Sequence, residues 1–421
     1  MKFDSLCVHA GNNPDETGAR QIPIHQSASF VFKDAKHAEN LFALKELGYI
    51  YSRLTNPTIA ALQERMAALE EGAGAVACSS GHAAQLTAFH NLLQSGDEFI
   101  AAKKLYGGSI NQFKNSFKQY GWNVKFVDTD NIDEVASAIG EKTKFIFVES
   151  LSNPEGAVAD IKALAKVAQA NGIPLIVDNT IATSALTKPL KNGANIVINS
   201  TTKFLTGNGS AVGGVIVDGG NFDWSQNDKF PLLSQPEPSY HGLNFHQACG
   251  NLAFTFRSIA VGLRDLGAVM SPMNAFLTML GIETLSLRMQ KHCDNAIKVA
   301  KFLESHDKID WVKYPGLESN NYHNLAKQYL NNGFGAVFTF GIKGGDVAGK
   351  KLVDSCKLFS HVANVGDSRS LIIHPSTTTH SQLSDEEKRL SSSTDDVIRV
   401  SIGIEDIDDI ISDLESSLKE I

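Results

Sequence analysis

Cysteine is scarce in this chain and never paired by spacing. The five cysteines, Cys7, Cys78, Cys249, Cys293 and Cys356, are odd in number and include no CxxC pair. That spacing suits neither a disulfide framework nor a zinc site and fits reduced thiols in a cytoplasm. Long apolar runs are missing too, since no stretch reaches the roughly 18 uninterrupted apolar residues of a membrane span. The opening segment MKFDSLCVHAGNNPDE has no apolar core and carries acids early, which argues against an export signal. Basic charge is in deficit. A net charge of −8 gives no general attraction to nucleic acid or to an anionic membrane, and leaves only a local pocket to hold a small anion. No internal repeat or low-complexity tract is visible.

What the chain does have is length and a regular alternation. Its 421 residues, 43% hydrophobic and 20% charged, suit a folded protein of two or three domains. Residues 1–60 are polar and turn-rich, and read as an N-terminal arm that packs on a neighbouring subunit. From about residue 74, short β-branched or aromatic runs recur: AVACSS at 75–80, FIAA at 99–102, NVKFVD at 123–128, KFIFVES at 144–150, PLIVDN at 174–179, NIVINS at 195–200 and GGVIVD at 213–218. Helical segments separate most of them, such as IKALAKVAQANG at 161–172, which stops at a glycine. This alternation predicts an α/β fold with a mostly parallel sheet covered on both faces, in a large domain over 61–265. Between 219 and 249 the pattern stops in a long stretch rich in Pro, Asn, Gln and aromatics, read as a loop acting as a lid or interface element. A smaller C-terminal domain over 266–421 follows. In it 283–305 and the final DIDDIISDLESSLKEI read as helices, 334–342 as a strand, and Ser384 with Glu387 as a capping box.

Ligands of open parallel sheets bind at the carboxyl ends of the strands. The informative residues are therefore those where the apolar runs stop: Ser79-Ser80-Gly81-His82, Glu149 to Pro154, Asp178-Asn179-Thr180 and Ser200-Thr201-Thr202-Lys203. Alone, Lys203 reads as a surface lysine and Asp178 as a turn cap. Together they offer an amine in a neutral setting, suited to a Schiff base, and a carboxylate that burial makes costly unless paired. Gly81 and His82 open a helix whose free N–H groups suit a phosphate. GNGSAVGG at 207–214 is not a dinucleotide fingerprint, because it leads into a strand instead of opening a helix. His374 and His380, six apart in HPSTTTH, are poorly spaced for a metal, and no metal site is expected.

The segments YSRLTNPT (51–58), SSGHAA (79–84), LYGG (105–108), VDNT (177–180), STTKFLTGNG (200–209) and IRVSIGIE (398–405) jointly resemble the Cys/Met-metabolism enzymes that use pyridoxal 5′-phosphate. The resemblance runs nearly end to end and is strongest to the O-acetylhomoserine sulfhydrylase branch. It implies a fold-type I transferase with a mostly parallel seven-stranded central sheet and a smaller C-terminal α/β domain. It implies that Lys203 bonds to the cofactor aldehyde and shuttles protons, with Asp178 on the pyridine nitrogen. Tyr106 would stack on the ring and Asn153 approach its 3′-oxygen. Ser80, Gly81, His82, Thr180, Ser200 and Thr202 would complete the cofactor site, most of them at the phosphate. Tyr51 and Arg53 would reach that phosphate from a neighbouring subunit, which implies a homo-oligomer, a tetramer built from dimers that share active sites. Arg399 would clamp the substrate carboxylate, with Asn364 and Tyr51 also at the substrate.

Two departures narrow the implied activity. Methionine γ-lyases carry a cysteine two residues after the stacking tyrosine, where this chain has Gly108. Relatives that handle cystathionine carry a glutamate in a segment like E-S-L-G, where this chain has Ala363-Asn364-Val365-Gly366. The implied reaction is γ-replacement on O-acetyl-L-homoserine with sulfide or methanethiol. An O-succinylhomoserine sulfhydrylase, a methionine γ-lyase, a cystathionine γ-synthase and a catalytically silent binding protein on the same fold remain as alternatives.

Overall fold

The computed structural model describes residues 1–378, 381 and 394–421. His380 and the expected capping box at Ser384 and Glu387 lie outside the described residues. The seven apolar runs each become a strand: β1 (Gly74–Cys78), β2 (Glu98–Ala102), β3 (Asn123–Val127), β4 (Thr143–Glu149), β5 (Leu175–Asp178), β6 (Ile196–Ser200) and β7 (Gly214–Asp218). They form one sheet in the order β1-β7-β6-β5-β4-β2-β3. Every neighbouring pair is parallel except those of β7, which runs antiparallel to β1 and β6. All seven residues of β4 are buried, so the strand shows no in–out alternation, as expected when helices cover both faces.

One covering helix shows how local sequence sets its limits. Ile161–Ala170 begins where the Asp160 side chain accepts the Ala163 N–H at 3.1 Å. It ends just before Gly172, which turns the chain at a φ of +61°, a conformation glycine adopts without strain. Beneath another part of the sheet, Phe89 meets Phe145 at a ring-centroid distance of 4.5 Å, with Phe99 and Phe147 close by. Each such buried ring contributes roughly 1.5–3 kcal/mol by area removed from water.

A second, smaller sheet contains β8 (Ile309–Lys313), β9 (Val337–Ile342), β10 (Ser360–His361), β11 (Leu371–Ile373) and β12 (Val397–Ser401), in the order β10-β11-β12-β9-β8. The helices Leu285–Glu304 and Ile407–Lys419 belong to this half of the chain. In β12, Arg399 lies between Thr339 of β9 and Ile373 of β11.

The stretch 219–249 is not the irregular loop the sequence suggested. It holds the short helices Pro231–Ser234 and Phe245–Cys249 and a 3₁₀ turn at Pro238–Tyr240. Its aromatics Trp224, Phe230 and Phe245 are fully buried, which secures turns too short to show a helical period. At the N-terminus, the helix Phe3–His9 packs on its own chain, where the buried Arg65 donates from Nε to the Ala10 carbonyl at 2.7 Å. Farther along, Val31, Phe42 and Leu47 stay exposed. Among the described residues, no helix is long and apolar enough to cross a membrane.

Candidate active site

The parallel register puts Glu149, the last residue of β4, directly beside Asp178, the last residue of β5. Both carboxyls are buried, and burial is the main reason each is held above its usual value. Glu149 is pushed up to about 8, with the Asp178 charge adding to the effect of burial. Asp178 is raised despite donors from Thr180 and Gln85; the Thr180 N–H reaches its Oδ1 at 2.9 Å. Two neighbouring acids withdrawn from water call for a cation between or beside them.

These strand ends form the floor of a cleft of about 300 Å³. One wall is the helix Gly81–His90. Ser80 caps it by accepting the Ala83 N–H at 3.0 Å, which leaves the N–H groups at Gly81 and His82 at the helix start. Gly81 is needed here for proximity, because a Cβ on it would stand 2.8 Å from the Cβ of Ser200. Ser200, at the end of β6, is tied back by its N–H to the Thr180 hydroxyl at 2.8 Å. Thr202 bonds through its hydroxyl with the backbone of Gly213. Free N–H groups at a helix start, flanked by hydroxyls, form an anion cradle.

Lys203 follows in the turn after β6. Burial, with some help from the charge of Arg399, lowers its amine to about 8, so about one tenth is unprotonated at pH 7, far more than for an ordinary lysine. Its Nζ donates to Asn364 Oδ1 at 2.7 Å. From the smaller sheet, Arg399 donates to the Asn364 carbonyl at 3.1 Å and is only 5% exposed. Ala363, Asn364, Val365 and Arg399, from the C-terminal half of the chain, line the same cleft as the strand ends.

Tyr106 stands at the cleft mouth, its ring 6.0 Å from that of His82 and inclined by 27°. Burial and the Lys203 charge lower the His82 imidazole, favouring its neutral form. The Glu149 carboxylate links two loops, accepting the Tyr106 N–H at 2.7 Å and the Asn153 N–H at 3.0 Å. Tyr51 and Arg53, by contrast, lie outside this chain's cleft. Tyr51 is half-exposed, and Arg53 donates to the Arg264 carbonyl at 2.7 Å while sitting 5.6 Å from the Tyr51 ring.

Two polar cleft residues escaped the sequence reading. Gln85 is buried one helical turn after Gly81 and donates from Nε2 to Ser109 at 3.0 Å. Its position i+4 from Gly81 was the available signal, since that spacing shares one helix face. Ser109 gave no signal. Glu149 was marked only as a strand end, without a role. His374, set aside as a metal ligand, bonds through its ring to the Thr377 hydroxyl and the Asp395 carbonyl.

The cleft fits pyridoxal phosphate on its own chemistry. It offers an amine of lowered proton affinity, a pair of buried acids for a pyridine nitrogen and a cradle for a phosphate. In addition, Asn153 Oδ1 and Gln85 Oε1 are buried without a partner, which leaves two polar atoms of the lining available to a polar ligand.

Comparison with known proteins gives the same direction. The chain is 48% identical to a homocysteine synthase of Schizosaccharomyces pombe over 420 residues, covering 99% of this chain and 98% of that protein. It is 45% identical to an O-acetyl-L-homoserine sulfhydrylase of Leptospira meyeri, covering 100% and 97%. A crystal structure of an O-acetylhomoserine (thiol)-lyase, described as putative, from Campylobacter jejuni superposes with a TM-score of 0.97 at 40% identity. It covers the whole of both chains and carries a pyridoxyl-lysine phosphate at its position 205. The profile of the Cys/Met metabolism PLP-dependent enzymes matches residues 4–419. With an amine, paired acids and an anion cradle converging in one cleft, this chain belongs to that family and takes pyridoxal phosphate as its cofactor.

Proposed function

We propose that the protein is an O-acetyl-L-homoserine sulfhydrylase that converts O-acetyl-L-homoserine and hydrosulfide into L-homocysteine and acetate. One observation carries the choice of second substrate. Among the described residues lining the cleft, the only carboxylates are Glu149 and Asp178, both on the floor, and the lining at Ala363 has none. A second substrate with a distal ammonium, such as cysteine, finds no partner there, whereas hydrosulfide needs none. Gly108 stands where methionine γ-lyases carry a cysteine, and a Cβ on it would lie 2.4 Å from the Tyr106 ring.

When bound, pyridoxal phosphate supplies an electron sink that makes protons on the α- and β-carbons of an amino acid removable. The chain's residues do the rest. Arg399 grips the substrate carboxylate with its planar fork, beside Asn364. Asp178 would hold a proton on the ring nitrogen, Tyr106 would stack on the ring and Asn153 would reach its 3′-oxygen. Gly81 and His82 N–H groups, with Ser200 and Thr202, would hold the phosphate, and Ser80 and Thr180 would complete the cofactor site. Lys203 takes the α-proton, carries it and returns it at the end. Over the cycle a C–O bond at the γ-carbon breaks, a C–S bond forms, acetate leaves and no electrons are gained or lost overall. Tyr51 and Arg53 act in the cleft of a neighbouring subunit, within a tetramer built from dimers. The free cysteines suit a cytoplasmic setting.

The test is product analysis with O-acetylhomoserine plus either sulfide or cysteine, with O-succinylhomoserine and methionine run alongside. Homocysteine should form from the acetyl ester and sulfide in large excess over cystathionine. Ala363→Glu should raise cysteine use relative to sulfide by about one to two powers of ten, the worth of one charge-assisted hydrogen bond in a partly dry site. Equal formation of cystathionine by the parent enzyme would sink the sulfhydrylase reading.

A further inference from the structure

Below the floor of the cleft lies a carboxylate that the chemistry just described does not use. Glu70 is the last residue of the helix Pro57–Glu70 and is 0% exposed. Its Oε1 accepts two amide N–H groups, from Asn179 Nδ2 at 3.0 Å and from Asn199 Nδ2 at 3.0 Å. Asn179 immediately follows Asp178, and Asn199 immediately precedes Ser200.

The orientation of Asn179 is fixed independently. Its Oδ1 accepts the Ser150 hydroxyl at 2.7 Å, and its Nδ2 also donates to the Thr187 carbonyl at 3.1 Å. Ser150 directly follows Glu149, so one buried network spans the ends of β4, β5 and β6. The other end of the Glu70 helix is tied to the N-terminal segment. There Asn56 caps the helix by accepting the Thr58 N–H and donates from Nδ2 to Ser52 and to the His25 carbonyl.

Burying a carboxylate is costly, and here burial pushes Glu70 up to about 7 even against its two amide donors. An apolar side chain of similar volume would fill the same space without that penalty. The acid is therefore explained better by what it holds than by what it fills.

We propose that Glu70 is a positioning residue for the cofactor platform, fixing through Asn179 and Asn199 where the ends of β5 and β6 present Asp178 and Ser200. The proposal rests on the reading above that Asp178 meets the ring nitrogen and Ser200 the phosphate. Glu70→Leu removes the shared acceptor. Glu70→Gln keeps an oxygen where both amides converge.

The experiment measures two properties of the loaded enzyme besides turnover: the rate of cofactor release, and the pH dependence of its visible absorbance. Glu70→Leu should speed release by about tenfold or more, the loss that goes with a hydrogen-bonded acceptor for two buried donors, and should shift the absorbance titration. Glu70→Gln should stay within about threefold of the parent, because one oxygen serves both amides. Parental release and titration in Glu70→Leu would overturn the proposal, whatever happens to its melting temperature. Equal damage in both variants would also overturn it, since acceptor geometry would then not be what matters.

If Glu70→Leu does not fold, Asn199→Ala removes only the arm of the network next to Ser200. Faster release there supports the proposal, and release at the parental rate refutes it. Asp178→Asn is run in parallel. If that variant leaves the absorbance titration unchanged, the ring-nitrogen assignment fails and the Asp178 half of this proposal falls with it, while release rates still judge the Ser200 half.

Discussion

Lys203 has an amine in a place where a cation is unwelcome. Burial holds it at about 8 against an ordinary value of 10.5, so an unfolded chain binds a proton between those values that the folded chain refuses. Stability then rises with pH across that window, because the unfolded state holds more protons there. Below pH 8 the full cost applies, up to about 3 kcal/mol at 1.36 kcal/mol per pKa unit. In the cofactor-stripped protein, Lys203→Met should therefore raise the denaturation midpoint at pH 7, with the gain fading as pH approaches 10.5. A gain independent of pH would show that the lysine is not desolvated. In the loaded parent enzyme, borohydride should fix a phosphopyridoxyl group on Lys203 and on no other lysine. Much at this scale was legible from where apolar runs stop, as with Asp178, Ser200 and Lys203. Glu70 was not, because the LEEG in which it sits reads as an ordinary solvated helix end, and only the packed structure shows that its side chain is inside.

At the scale of elements, the contact between the helix Gly81–His90 and the end of β6 sets the width of the anion cradle. Gly81→Ala places a methyl 2.8 Å from the Ser200 Cβ, closer than carbon atoms approach, so the helix start must move away from β6. Cofactor affinity should fall by about one to two powers of ten if one or two charge-assisted bonds to the phosphate are lost. Titration of the stripped protein with pyridoxal phosphate, followed by visible absorbance, checks this. An unchanged affinity would mean that the phosphate does not lie between these elements. All seven strands of the large sheet were readable, most as the short apolar runs of strands buried on both faces, and β3, at the sheet edge, as a run that alternates exposed and less exposed residues. The short turns within 219–249 were not. A helix such as Pro231–Ser234 spans about one turn and leaves no period to detect, and it is the burial of Trp224 and Phe230 that fixes it. Arg399, on a strand of the smaller sheet, was placed in the site by motif resemblance alone, because nothing in local sequence announces which sheet edge faces which.

For the whole molecule, Tyr51 and Arg53 are the open account, since neither reaches the cleft of its own chain. If they serve a neighbour, Arg53→Ala and Lys203→Ala proteins should each be nearly inactive yet partly active when mixed. Random exchange in a dimer with two shared sites leaves about one quarter of all sites free of both lesions. Recovery approaching that fraction supports shared sites, whereas no recovery despite demonstrated subunit exchange would put the arm to work in its own subunit.

The cleft also draws on widely separated parts of the chain. Its cradle and lysine lie between Ser80 and Lys203, while the arginine lining the same cleft sits at position 399 of 421. Chains emerge from the ribosome N-terminus first, and their early segments can fold before the rest is made. A nascent chain therefore carries the cradle for a vitamin-derived phosphate long before it has the arginine that grips the carboxylate of an amino acid. Chemistry on a substrate waits until Arg399 has been added.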